Sequence, residues 1–192
     1  MRRVVSTVAA AILVLGVAAC GGAEPEESTT ATPSSTSPTT SAPEPTWSAT
    51  AKPERPVDEQ SPEGAEAFAR YVADLVFYMM ATSDVPALTS VADMSLCDRC
   101  REWNENHSQG RINKKTIASG RPTYRLAAEP IVTDDVHYQV RLEMDVPAGR
   151  EVVARSDGTT EKRKIAATKG LDFKVDMVWK GDRWELQRYQ MG

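Results

Sequence analysis

The feature that most constrains the fold is the segment 136–146, in which apolar and polar side chains alternate without a break. Its apolar positions are Val136, Tyr138, Val140, Leu142, Met144 and Val146. Successive side chains of a β-strand point to opposite faces, so the alternation predicts a long strand with one buried face. The segment 171–179 repeats the pattern and predicts a second strand of the same kind.

The second strand is expected to form a hairpin with the residues that follow it. The dipeptide Gly-Asp at 181–182 is typical of a turn, and the apolar alternation then resumes. With this dipeptide at the turn, Trp179 faces Trp184 and Met177 faces Leu186 on one apolar face. Aromatic cross-strand pairs of this kind stabilise a sheet by about 0.2 to 1 kcal/mol.

A long helix is predicted upstream of the strands, at 62–81. Ser61 is a favoured N-cap residue, and Pro62 is favoured at the first helical position. Apolar side chains then recur at helical spacing and form one stripe along the helix. The stripe consists of Phe68, Val72, Leu75 and Met79.

Two shorter helices are predicted between the long helix and the first strand. One covers 86–91 and follows a capping segment at 82–84. The other covers 96–109, because Ser95 and Asp98 are spaced as in a capping box.

Helices first and antiparallel strands afterwards indicate an α+β domain. Weaker strand candidates are 121–133 and 150–154, a turn is expected at 156–159, and 162–164 is expected to be a solvated loop or edge. We expect N-terminal helices packed on one face of a curved antiparallel sheet. This layout is similar to the cystatin-like and nuclear transport factor 2-like folds, which by itself implies no activity.

The start of the chain resembles the leader of a bacterial lipoprotein. A short basic start precedes an apolar run, and Val17-Ala18-Ala19 leads into Cys20 as in a lipobox. The resemblance implies a signal peptide at 1–19 that is removed, a diacylglycerol joined to Cys20, and attachment to the extracytoplasmic face of the cell membrane. The alternative is an ordinary cleaved leader in which Cys20 has no role.

The segment 20–60 is rich in Ser, Thr and Pro in low-complexity order. It has almost no apolar surface to bury, so nothing offsets the entropy of ordering it. We therefore expect a disordered tether between the lipidated cysteine and a globular domain at 61–192.

Charge argues against one class of partner. The segment 62–192 has 19 basic and 20 acidic residues, whereas phosphate binding requires a concentrated basic surface. No nucleic-acid partner is expected. The expected partners are the membrane, through the lipid on Cys20, and either an envelope protein or a small apolar ligand.

Two stretches of the domain carry a family resemblance: S-P-E-G-A-E-A-F-A-R-Y-V-A-D-L-V-F-Y-M-M-A-T-S-D-V-P-A-L, and L-C-D-R-C followed by a Trp. Over about 61–190 the domain resembles an uncharacterised family of actinobacterial lipoproteins. The resemblance implies the lipid anchor and the paired cysteines. No activity is assigned to that family, so the resemblance implies no catalytic residues.

Cys97 and Cys100 form a C-x-x-C motif. If Cys20 carries a lipid, these two remain as an even pair in an oxidising compartment, where a disulfide is the default. One hypothesis is a structural disulfide. The other is an extracytoplasmic thiol-disulfide redox site, activated by a helix N-terminus and nearby arginines. The predicted elements lack the βαβ context of thioredoxin-like enzymes, which favours the structural hypothesis.

A ligand pocket is a further hypothesis, because a curved sheet under helices can enclose an apolar cavity. Five side chains combine an apolar body with a polar tip that suits the lining of such a pocket. They are Tyr71, Tyr78, Trp103, Tyr124 and Tyr138. The alternative is that these side chains fill the core, as aromatic stripes ordinarily do.

Metal and catalytic sites have little support in the sequence. His107 and His137 stand on different elements, without a zinc-binding motif or a second cysteine pair, so no metal or other cofactor is expected. The acidic residues of the strands are expected on solvated polar faces and are Glu143, Asp145, Asp172 and Asp176. The sequence therefore predicts a lipid-anchored binding or scaffold module of unknown molecular activity, without a catalytic site.

Overall fold

The computed structural model describes residues 50–110, 114–154 and 158–192, with the backbone alone for 114–118. The predicted leader, Cys20 and most of the predicted tether lie outside the described residues. Within the described part of the chain, no helix has the length and apolar character needed to span a membrane.

Helix α1 spans Pro62–Thr82, one residue longer than predicted. It begins at Ser61, whose hydroxyl accepts a hydrogen bond from the backbone nitrogen of Gly64 at 3.0 Å. It ends at Ser83, which adopts a left-handed conformation with φ 63° and donates its N–H to the carbonyl of Met79. The sequence therefore predicts both ends of this helix.

The two following helices are shorter than predicted. Helix α2 spans Val85–Thr89 and helix α3 spans Asp98–Ser108. The predicted capping box is wrong, because Cys97 rather than Ser95 is the N-cap of α3. The Ser95 hydroxyl instead donates to a carboxylate oxygen of Asp93 at 2.5 Å, before the helix begins.

The described strands form two antiparallel sheets. In chain order they are β1 (Lys114–Ser119), β2 (Thr123–Leu126), β3 (Ile131–Val132), β4 (His137–Val146), β5 (Gly149–Ala154), β6 (Thr160–Ile165), β7 (Thr168–Trp179) and β8 (Trp184–Met191). The smaller sheet has the order β1-β5-β6. The larger sheet has the order β2-β4-β7-β8, with β3 also paired to β4.

The two long strands and the hairpin are confirmed. Strands β4 and β7 pair with each other, and β7 pairs with β8 so that Trp179 lies opposite Trp184 and Met177 opposite Leu186. The two indole rings meet edge to face, with centroids 5.1 Å apart.

Other strand predictions change in detail. The candidate at 121–133 is divided into β2 and β3, and the candidate at 150–154 is β5 with one more residue. The segment 162–164 lies in β6, at the edge of the smaller sheet. Strands β1 and β6 have no regular apolar alternation, so the sequence predicts neither strand. Without them it does not predict the division into two sheets. The expected turn at 156–159 lies partly outside the described residues.

A single hydrophobic cluster joins the long helix to the larger sheet. Phe68 and Val72 of α1 belong to it together with Leu142 of β4 and Phe173 of β7, and all four are fully buried. The predicted α+β class, with helices and an antiparallel sheet, is confirmed.

Residues 55–60, here called the strap, contact the larger sheet just before α1 begins. The guanidinium of Arg55 donates to the carbonyl of Trp184 at 2.7 Å and forms an ion pair with Asp58 at 2.9 Å. The indole nitrogen of Trp184 donates to the carbonyl of Glu59 at 2.9 Å. Contacts with the larger sheet thus extend at least as far upstream as Arg55, before the predicted boundary at Ser61.

Candidate functional site

A disulfide bond joins Cys97 and Cys100 at the start of α3, as the pairing of the two cysteines predicts. Both residues are fully buried, and the Cys97 sulfur accepts a hydrogen bond from the backbone nitrogen of Cys100 at 3.2 Å. Thiol exchange requires access to sulfur. This burial favours the structural role over the redox role.

Helix α3 is fastened to β8 by a hydrogen bond between two aromatic side chains. The indole nitrogen of Trp103 donates to the hydroxyl of Tyr189 at 3.0 Å. Burial raises the pKa of Tyr189, and the hydrogen bond from Trp103 only partly offsets this. The phenol is therefore protonated at neutral pH and links the helix to the strand in its neutral form.

The space between the N-terminal part of α3 and β8, here called the α3–β8 cleft, has a volume of about 340 Å³. Its lining residues are Asp98, Arg99, Glu102, Arg188, Tyr189, Gln190 and Met191. Four of these seven side chains are charged, and both signs are present. The cleft therefore suits a ligand with polar and charged groups of its own.

Ion pairs hold two of the charged side chains of the cleft. The Arg188 guanidinium donates to Asp176 on β7 at 2.7 Å, and Asp98 pairs with Arg101 within α3. Arg188 also lines a neighbouring depression of about 220 Å³, together with Leu96. Leu96 is 52% exposed, so this side of the cleft offers an apolar contact as well.

Tyr124, one of the five predicted pocket residues, links β2 to α1. Its hydroxyl donates to a carboxylate oxygen of Asp74 at 2.6 Å, and its carbonyl accepts from the Arg70 guanidinium at 2.8 Å. Burial, followed by the hydrogen bond and negative charge of Asp74, raises the pKa of Tyr124 well above its ordinary value. Tyr124 is therefore a neutral donor that ties the helix to the sheet.

The other predicted pocket residues lie in different surroundings. Tyr71 is buried in the core, Tyr78 donates to Asp84 at 3.0 Å, and the ring of Tyr138 meets Trp184 edge to face at 4.9 Å. Among the described residues, no hydrogen bond or ring contact joins two of the five predicted side chains. These contacts favour the alternative in which they fill and fasten the core.

Cross-strand ion pairs engage the acidic residues of the larger sheet. Glu143 pairs with Arg125 at 2.5 Å and Asp172 pairs with Arg141 at 2.6 Å. Glu143 and Asp172 lie opposite each other in the β4–β7 register, but each carboxylate forms an ion pair with its own guanidinium. This arrangement places both acids in the ion pairs of the sheet surface.

The two histidines lie apart from the α3–β8 cleft lining. His137 contacts Asp134 at 2.8 Å, and His107 is exposed in the last turn of α3. Within the residues that the structure describes, no group of three or more His, Cys, Asp or Glu side chains is arranged to hold a metal ion.

Comparison with known proteins identifies the family of the chain. A model described as a family of unknown function (DUF6318) matches residues 30–190. The chain belongs to this family. The expectation of an uncharacterised domain family is thereby confirmed, and DUF6318 brings no assigned activity.

No curated protein matches this DUF6318 chain. Among solved structures, it is similar to the intermembrane space region of the chloroplast protein ARC6, with a TM-score of 0.44 and 9% identity. The similarity covers 69% of this chain and 97% of that one. This similarity is too low to assign any property of that protein to this chain.

Trp103, one of the predicted pocket residues of this DUF6318 domain, joins α3 to β8 but does not line the α3–β8 cleft. The sequence predicts none of the lining residues as part of a ligand pocket. Along β8 the buried positions are Trp184, Leu186 and Tyr189, so the period-two pattern breaks after Leu186. The β7–β8 register shifts between Asp176 and Met177. Such an irregularity turns side chains to a different face, and no pattern in the sequence indicates where it occurs.

Proposed function

We propose that this protein is an actinobacterial lipoprotein held at the extracytoplasmic face of the cell membrane by a lipid on Cys20. The lipobox-like run Val17-Ala18-Ala19 before Cys20, behind a basic start and an apolar segment, supports this proposal. The family match covers residues 30–190, downstream of that segment. In this proposal, 1–19 is removed, the residues from Cys20 up to the strap form the tether, and the rest of the chain is displayed outside the cytoplasm.

We also infer that the domain has a cystatin-like or nuclear transport factor 2-like roll. The support is the order of elements, with one long helix followed by antiparallel strands. The shared hydrophobic cluster of α1, β4 and β7 supports it too.

The displayed domain acts as a non-catalytic binding module through the α3–β8 cleft. The observation that carries this conclusion is that both walls of the cleft present charged side chains, while the Trp103–Tyr189 bond fastens α3 to β8. The disulfide closes the first turn of α3. A fastened wall loses little freedom when a ligand binds, which favours binding.

The chemistry of the cleft favours a segment of an envelope protein over a small apolar ligand. An apolar ligand would displace water from Arg99 and Glu102 and could not replace the hydrogen bonds that the water makes to these side chains. A polypeptide segment supplies carbonyl groups, N–H groups and charged side chains that can bind both Arg99 and Glu102. Exposed Leu96 adds an apolar contact at the neighbouring depression.

Photocrosslinking in intact cells tests the binding proposal. A photoreactive amino acid replaces Glu102, which lines the cleft, or Asn104, an exposed residue of the same helix that does not line it. We expect a discrete protein adduct from position 102 that is absent from position 104 and is lost in R99E. Identical products from both positions, or a product that R99E leaves unchanged, would contradict the proposal.

A further inference from the structure

The pairing of β5 with β6 gives these two strands one inward and one outward face. Val153 of β5 is 5% exposed, and Ile165 of β6 packs against buried Ala81 at the end of α1. Because side chains alternate along a strand, 150, 152, 160, 162 and 164 share the opposite, outward face.

The outward face carries positive charge alone among its described side chains. Arg150, Lys162 and Lys164 lie on it and are exposed; we call these three residues the basic face. The acidic residues of the two strands, Glu151 and Glu161, alternate onto the inward face.

The register brings like charges together on the basic face. Lys164 lies directly opposite Arg150, and Lys162 lies opposite the half-buried Val152. Like charges in directly opposed positions destabilise a sheet. No hydrogen bond or ion pair to another described residue engages the ammonium groups of Lys162 and Lys164. An anionic surface would offset this repulsion and offer partners to the ammonium groups of Lys162 and Lys164.

We propose that the basic face docks on the anionic phospholipid surface of the membrane that holds the protein. The proposal rests on the extracytoplasmic anchoring proposed above, which makes the outer leaflet the nearest extended anionic surface. Each Lys or Arg close to an anionic bilayer strengthens binding about fivefold. Three cations give weak binding in free solution, but a lipid on Cys20 keeps the domain near the surface, where weak attraction suffices.

Charge complementarity selects anionic lipid headgroups over a neutral partner, and the register places all three cations on one face of the strand pair. The α3–β8 cleft, whose lining carries both signs, belongs to the larger sheet and α3. The basic face therefore shares no residue with the lining of the cleft.

Vesicle binding by a chain that begins at Gly21 tests the basic face separately from the lipid. This chain retains every residue of the hydrophobic clusters, which begin at Ala65, and the whole strap. Its partition is measured on vesicles of phosphatidylcholine with and without phosphatidylglycerol. We expect binding that requires phosphatidylglycerol and weakens as salt is raised.

Paired variants locate the contact on the basic face. K162Q/K164Q removes two charges of the basic face, and its binding to phosphatidylglycerol vesicles should fall about 25-fold. K174Q/K180Q removes the same net charge from β7 and the turn after it, and should bind within about twofold of the parent chain. Matching unfolding curves for both variants verify that folding is unchanged.

Three outcomes would overturn the docking proposal. They are equal losses in the two double variants, binding that does not depend on phosphatidylglycerol, and binding to soluble polyphosphate without binding to vesicles. The chain from Gly21 lacks the lipid attachment residue, so failure of this test leaves the anchoring proposal standing. Conversely, a native protein without acyl groups would leave the vesicle result unchanged.

Discussion

The carboxylate of Asp58 accepts a hydrogen bond from the backbone nitrogen of Trp184 at 3.0 Å, across 126 positions of the sequence. The Arg55 guanidinium holds the same carboxylate and also donates to the Trp184 carbonyl at 2.7 Å. Both backbone polar groups at the first residue of β8 are thus bound by the strap. The strap therefore fastens the start of the strand that lines the α3–β8 cleft.

Replacing Asp58 tests the contribution of the strap to stability. Asp58→Ala removes the acceptor of the Trp184 N–H and the ion-pair partner of Arg55, which keeps the Trp184 carbonyl as a hydrogen-bond acceptor. The free energy of unfolding should fall by about 1 to 3 kcal/mol. Urea denaturation at neutral pH measures the change. Glu54→Ala, an exposed acid beside the strap, should stay within about 0.5 kcal/mol of the parent protein. An equal effect of the two substitutions would refute the role of the strap.

Asp58 should also make stability depend on pH. Burial opposes ionisation, but the hydrogen bonds from Arg55 and from the Trp184 N–H outweigh it and hold the pKa of Asp58 below its ordinary value of 3.8. A carboxyl group whose pKa is lowered by folding stabilises the native state above its unfolded pKa and loses that effect as pH falls.

The difference in unfolding free energy between the parent and Asp58→Asn should therefore be full at neutral pH and shrink between about pH 5 and pH 2. The asparagine retains an oxygen that can accept from the Trp184 N–H, so the comparison isolates the charge. Denaturation curves across this range provide the measurement. A difference that grows on acidification would have the wrong sign for this mechanism.

The Trp103–Tyr189 hydrogen bond should be visible in a double-mutant cycle. Trp103→Phe and Tyr189→Phe each remove one partner, and the double variant removes both. The coupling free energy should be about 1 kcal/mol, the ordinary net value of a hydrogen bond. Coupling near zero would mean that this bond does not fasten α3 to β8.

The disulfide should contribute stability and resist exchange in the folded protein. The loop between Cys97 and Cys100 is short, so C97A/C100A should lose about 2 kcal/mol from the loop-closure effect, with a further loss from packing. Denaturation measures the loss.

Alkylation under native reducing conditions should be slow because both sulfurs are buried, and should become complete in denaturant. Rapid alkylation of the folded protein would instead support the redox hypothesis.

Local patterns in the sequence predict the parts of the fold that depend on neighbouring residues. Ser61 and the apolar stripe of α1 are within one helix, and Trp179 and Trp184 are joined by one short turn. In each case the sequence shows an apolar periodicity or a turn motif within a short stretch of consecutive residues. These are the elements that the structure confirms.

The strap, the α3–β8 cleft and the basic face depend on contacts between distant residues. Asp58 meets Trp184 only after β8 has joined the larger sheet, and Lys164 meets Arg150 only in the register of β5 with β6. The run 162–164 reads in sequence as an ordinary solvated segment. The face of like charge becomes visible only when the register pairs this run with residues of β5, which are too distant in the sequence for a local pattern to include.

Mass analysis of the amino-terminal peptide, taken from protein extracted from its native membranes, tests the proposed lipid anchor on Cys20. We expect a peptide that begins at Cys20 and carries the added mass of a diacylglycerol on that residue, as lipid anchoring requires. A peptide that retains 1–19, or one that begins elsewhere without acyl groups, would contradict it.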